Sequence, residues 1–154
     1  MKVRGPLGRI TLIASIALLP GALASCTSFN FETAATGPPR ADCVDDSPAC
    51  IERRSAALKE MMADKKRTWV REPASAHSYA AGVRLFAFKS RKRDLTCDEL
   101  AHGKREADDA PAALSGPESG GLTPAQKSRG ALLAAEVSKE LAAEMRRRGC
   151  RVRA

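Results

Sequence analysis

Apolar positions come in short periodic runs, and three of the runs have a spacing close to that of a helix. Ile51, Leu58, Met62 and Trp69 form one narrow stripe, interrupted by Ser55 and Lys65. Ser47 as N-cap and Pro48 at the first helical position predict a helix from Pro48 to Val70, ended before Pro73. A second helix is predicted over Ala74 to Arg91, with Tyr79, Val83 and Phe86 on one face and Leu85 and Phe88 on others. The run from Val83 to Phe88 also fits a short strand, and Gly82 weakens the helix or lets another helix approach. Thr96-Cys97-Asp98-Glu99 reads as a capping box, with Leu95 and Leu100 placed as a hydrophobic staple. It predicts a third helix to about Asp108, followed by a Pro-, Gly- and Ser-rich loop over 109–122. Thr123-Pro124-Ala125-Gln126 starts a fourth helix, carried by Leu133, Val137, Leu141 and Met145 at i, i+4 to about Arg148, with Gly149 as its stop.

The first 25 residues follow a different pattern. Lys2, Arg4 and Arg9 precede an apolar run from Ile10 to Leu19, which Pro20 and Gly21 end. A positive start, a short apolar stretch and small residues before a cut site make a secretory signal. The run is half the roughly 20 residues a spanning helix needs, which argues against a permanent transmembrane anchor. Leu23-Ala24-Ser25-Cys26 then resembles the lipobox of bacterial lipoproteins. That resemblance implies a diacylglyceryl group on the Cys26 sulfur, cleavage before Cys26 by signal peptidase II, and acylation, as with palmitate, of the new amino group. The alternative is an ordinary cleaved signal with a coincidental cysteine. Thr27 stands where Asp commonly signals inner-membrane retention, so the resemblance favours the outer membrane over the inner one. The expected location is the cell envelope, anchored to a membrane through Cys26 and facing the periplasm.

Cleavage there leaves 129 of the 154 residues. Residues 26–42 read as a tether, rich in Thr, Ser, Asn, Gly and Pro, and residues 43–154 as one small domain. With six aromatic residues in the chain, the core must come from Ala, Leu, Val and Met, a composition that suits helices. The expected fold is therefore all-α, a small bundle of three to four helices.

Four cysteines remain besides Cys26. In an oxidising compartment they read as two disulfides, with three pairings open. Cys43–Cys50 would clamp the chain onto the first helix. If the third and fourth helices pack antiparallel, Cys97 and Cys150 meet. These two bonds are the expected pairing.

Candidate chemistry is sparse. There is no Cys-x-x-Cys, nucleophile elbow, phosphate loop, dinucleotide fingerprint or zincin motif, so no cofactor and no metal site is expected. His102 follows Asp98 by four residues and shares its helix face, a fragment of a catalytic arrangement that a wet helix also shows by chance. Glu106, Asp108 and Asp109 lack ordered ligand spacing. Trp69 reads as core, or else as an exposed anchor for a partner. The reading is against an enzyme.

The chain carries a net charge of +8, of which +5 remains after cleavage. Lys89, Arg91, Lys92 and Arg93 form one basic cluster, and Arg146, Arg147 and Arg148 another. Each complements a helix C-terminus, and together they are candidate contacts for an anionic envelope polymer or lipid headgroup. Export makes nucleic acid a poor partner. The stretches Gly82-Val83-Arg84-Leu85-Phe86, Thr96-Cys97-Asp98-Glu99-Leu100 and Pro124-Ala125-Gln126 resemble small uncharacterised exported proteins of alphaproteobacteria, which implies no activity. Two functions follow as expectations: an accessory or adaptor for an envelope protein partner, and binding of an anionic polymer through the basic clusters.

Overall fold

The computed structural model describes residues 42–151. The expected signal, the expected lipidation site at Cys26, nearly all of the expected tether and the last three residues lie outside them. Among the described residues five α-helices are formed: α1 Pro48–Ala63, α2 Ala76–Ala81, α3 Val83–Arg91, α4 Cys97–Ser115 and α5 Pro124–Arg148, with short 3-10 turns at Thr68–Arg71 and Pro117–Ser119. The fold is all-α, and no strand occurs among the described residues.

The longest helices, α4 and α5, lie antiparallel. Cys97 at the start of α4 is bonded to Cys150 just past α5, Asp108 accepts from Ser138 Oγ at 2.5 Å, and Leu114 lies beside Gly130. Several buried positions on this pair are small: Gly103, Ala107 and Ala110 on α4, and Gly130 and Ala134 on α5. Across this pair lie α2 and α3. A Cβ on Gly130 would stand 2.9 Å from the Tyr79 carbonyl, and one on Gly103 would enter the Phe88 ring. Phe88, Leu85, Leu95, Leu100, Leu114 and Leu141 fill the centre. Both expected disulfides are present, with Cα–Cα separations of 5.8 Å for Cys43–Cys50 and 5.4 Å for Cys97–Cys150.

Helix starts follow the sequence expectations closely. Ser47, Thr96 and Thr123 all cap through their side chains, and Thr96/Glu99 and Thr123/Gln126 are complete capping boxes. Leu95 and Leu100 are both buried, as a staple requires. The ends are where the structure differs. Helix α1 stops at Ala63, seven residues short of the expected Val70, because the Asp64 carboxylate takes the backbone N–H groups of Lys66 and Thr68 and the Thr68 hydroxyl. Such local bonding competes with helix propagation. Arg67 then turns the chain through a left-handed conformation, φ 54°. The turn carries Trp69 into the core, where it meets Phe88 edge to face at 4.9 Å, so Trp69 is not an exposed anchor. Half of the expected α1 stripe is corrected: Leu58 packs on the core and Trp69 is buried in it, but Ile51 is 48% exposed and Met62 is exposed, while Cys50 and Ala57 are buried.

The expected helix over Ala74–Arg91 is two helices. Gly82, at φ 74°, caps α2 and starts α3 at a new angle, and the Leu133 side chain closes against it. Val83 to Phe88 is helical, so the strand alternative is set aside. The new angle takes Phe86 away from the face of Tyr79 and Val83 and leaves it exposed. Helix α4 continues past Asp108 to Ser115, through Pro111. A proline inside a helix costs about 3 kcal/mol. The buried positions Ala107, Ala110 and Leu114, packed on both sides of that proline, offset it. The expected loop over 109–122 is thereby reduced to a short connection.

Candidate functional site

Helix α3 places Arg84 and helix α4 places Glu106 inside the fold, with 5% and 6% of their side chains exposed. Arg84 Nε lies 2.7 Å from Glu106 Oε1, and Nη2 donates to Glu106 Oε2 at 2.8 Å and to the Val70 carbonyl at 3.0 Å. The guanidinium also lies over the Phe88 ring, 5.8 Å from its centroid. Burial pushes the Glu106 carboxyl up from its ordinary range, and Arg84 opposes the shift. Nothing in the periodicity announced this pair: position 84 reads as one polar residue in an apolar run, and Glu106 reads as one of a solvated acidic group.

His102 stands at the edge of the pair, Nε2 3.9 Å from Glu106 Oε2. Burial lowers its pKa first, and the guanidiniums of Arg84, Arg105 and Arg71 lower it further, against the Val70 carbonyl. Asp98 is exposed and makes no hydrogen bond or ion pair with His102 among the described residues, so the two share a helix face without being joined. Tyr79 lies close by, its hydroxyl pushed up to about 12 by burial and then by Glu106. The arrangement ties α3, α4 and the 3-10 turn together.

The acidic residues do not converge. Glu106 is held by Arg84, Asp108 takes Lys104 at 2.6 Å and Ser138, and Asp109 is exposed. Among the described residues no group of three or more His, Cys, Asp and Glu comes together as a metal site. No described helix is long and apolar enough to cross a membrane.

The two basic clusters meet at one end of the bundle. Arg148 donates to the Leu95 carbonyl, just beyond α3, and the Glu144 carboxyl is held low by Arg147 first and then by Arg148 and Arg93. Yet the seven cations are not equivalent. Lys89 binds Glu136 at 2.6 Å and Glu140 at 3.3 Å, Lys92 binds Glu140, and Arg91 binds Asp94 at 2.9 Å and the Met62 carbonyl at 2.7 Å. These three tie α3 to α5 and α1. Arg93 and Arg146 are exposed with no carboxylate within 4 Å among the described residues, and Arg147 stays mostly exposed while paired with Glu144.

A second surface feature lies along the α3–α5 seam. Phe86 is 45% exposed and Leu132 is 73% exposed. Phe86 sits on α3 between Gly82, which touches Leu133, and Lys89, which binds Glu136. Leu132 is one turn before Glu136 on α5 and shares its stripe. The two apolar side chains therefore flank one stretch of the seam, with the Lys89–Glu136 bridge at its rim. The chain matches no family model, and no curated protein or solved structure is significantly similar to it.

Proposed function

We propose that this protein is a lipid-anchored module of the bacterial cell envelope that works without enzymatic chemistry, by docking a protein partner close to the membrane that holds Cys26. The observation that carries the docking half of this reading is the exposure of Phe86 and Leu132 on neighbouring helices, rimmed by the charged bridge. Large apolar residues in such a setting are a usual form of protein contact, with aromatic side chains as anchors. Two disulfides suit an oxidising compartment, and the lipobox-like Leu23-Ala24-Ser25-Cys26 supplies the anchor.

Two experiments test it. Crosslinking in living cells with the chain tagged at its C-terminus should recover one abundant partner, also at high salt. Phe86→Asp with Leu132→Asp should abolish that recovery while the circular dichroism melt stays within a few degrees of the parent. An unchanged crosslink with the double variant removes the seam as the docking site. Separately, Cys26→Ser should move the protein out of the membrane fraction, and retention there would end the anchoring half of the reading.

A further inference from the structure

We infer that the end of the bundle built from the close of α3 and the close of α5 is a second binding surface, for an anionic polymer of the envelope whose repeated phosphate or carboxylate groups are taken by guanidinium forks. The fold concentrates positive charge there. Arg93, Arg147 and Arg148 all act on Glu144, Arg91 pairs with Asp94, and Arg146 and Arg151 lie in the last turn of α5 and just beyond it, while Glu140, the next carboxylate back along α5, is held by Lys89 and Lys92. Arg151 follows Cys150, whose disulfide pins it beside the start of α4.

Which cations are available follows from the ion pairs. Arg91 is spent on Asp94 and Met62, and Arg148 on the Leu95 carbonyl. Arg93, Arg146 and Arg151 are exposed and have no carboxylate within 4 Å among the described residues, and Arg147 presents an exposed guanidinium. All the available groups are arginines, whose planar donors match phosphate and carboxylate oxygens. Their separation in sequence, with Arg93 far from the other three, is closed by α3 lying alongside α5 and by the Cys97–Cys150 bond.

Position decides between a polymer and the anchoring bilayer, a step that rests on the anchored reading above. The chain enters the fold at Val44, whose carbonyl accepts from Gln126 Nε2 at 3.0 Å and Arg129 Nη2 at 3.3 Å. Those are the first turns of α5, and Arg146 is in the last. At 1.5 Å per residue the helix separates them by about 30 Å. The cationic end thus stands about a helix length from the point where the chain enters the fold, which supports a polymer over the bilayer at the entry point as its ligand.

The test is sedimentation and fluorescence titration of the full chain, purified in detergent, with polyphosphate, poly-γ-glutamate and vesicles containing phosphatidylglycerol. Binding to polyphosphate or polyglutamate, weakened steeply by salt, is expected, and the tighter of the two identifies the recognised group. Combined Arg93→Gln, Arg146→Gln and Arg151→Gln should weaken it by about tenfold or more, as the loss of charge-assisted contacts requires. Lys89→Gln, a cation of the same cluster bound to Glu136, should leave it within about twofold. Equal affinity of the triple variant, or vesicles bound as tightly as the polymers, would overturn the inference. The titration is independent of lipid on Cys26, so its failure is distinct from failure of the Cys26→Ser fractionation.

Discussion

Arg84 Nε and Glu106 Oε1 stand 2.7 Å apart with almost no solvent contact, so the fold holds a full charge pair in its interior. Taking each ion out of water costs several kcal/mol, returned only because the partner and the Val70 carbonyl are in place. Removing one partner should therefore cost far more than removing both. Arg84→Met is expected to destabilise by about 3–5 kcal/mol, by stranding the Glu106 carboxylate. Arg84→Met with Glu106→Leu should regain most of that. Urea unfolding followed by the fluorescence of Trp69, the single tryptophan, measures both. A double variant no more stable than Arg84→Met would mean that the pair contributes through packing and not through charge.

That pair marks the limit of what was legible in the chain. Helix starts are local: Thr96 with Glu99 and Thr123 with Gln126 satisfy each other's backbone groups within four residues, and the sequence shows them directly. The pairing of Cys97 with Cys150 was legible too, because a capped start and a glycine stop fix which helix ends can meet. Ends set by competition were not. The Asp64 carboxylate outbids the next turn of α1, Gly82 splits one periodic run in two, and Pro111 is overruled by Ala107, Ala110 and Leu114 packing on α5. The basic clusters were visible as residues, but the ion pairs that withdraw Lys89, Arg91 and Lys92 depend on Glu136, Glu140 and Asp94, two of them on another helix. Phe86 and Leu132 as a surface required the turn at Gly82.

His102 gives a pH signature. Its folded pKa is lowered below the ordinary 6.5 by burial and by Arg84, Arg105 and Arg71, so folding disfavours its charged form. The stability it confers is present above 6.5 and is lost as pH falls through the folded value. Glu106 faces it at 3.9 Å and works in the opposite sense: its raised pKa gives stability present below 4.5 and lost as pH rises through its own folded value. Subtracting a variant isolates the histidine. Between pH 7 and pH 5 the urea midpoint of the parent should fall relative to that of His102→Gln. Parallel profiles would place His102 in ordinary solvent.

Tyr79, the single tyrosine, can be titrated directly by tyrosinate absorbance. Burial, then the charges of Glu106 and Asp109, push its hydroxyl up to about 12 against the pull of Arg84. The stability linked to that shift is present below pH 10 and lost as pH rises toward 12. The native chain should show a midpoint about two units above that of the urea-unfolded chain, which returns to about 10. Tyr79→Phe should be less sensitive to alkali over the same interval. Coincident native and unfolded titrations would show that the phenol is solvated.

The two disulfides should differ in what they contribute. Cys43–Cys50 closes a short loop, worth about 2.5 kcal/mol in the chain-entropy account, and Cys97–Cys150 closes a long one, worth about 4 kcal/mol. Geometry points the same way. Without Cys43–Cys50, Val44 is still held by Gln126 and Arg129 at the head of α5. Without Cys97–Cys150, the antiparallel α4–α5 pair loses the covalent bond at that end, where the bond from Arg148 to the Leu95 carbonyl remains. Cys97→Ser with Cys150→Ser should therefore lower the melting temperature more than Cys43→Ser with Cys50→Ser, while both retain helical circular dichroism well below the melt. The reverse order would mean that the entry of the chain at α1, and not the α4–α5 seam, is the part of the fold that needs the staple.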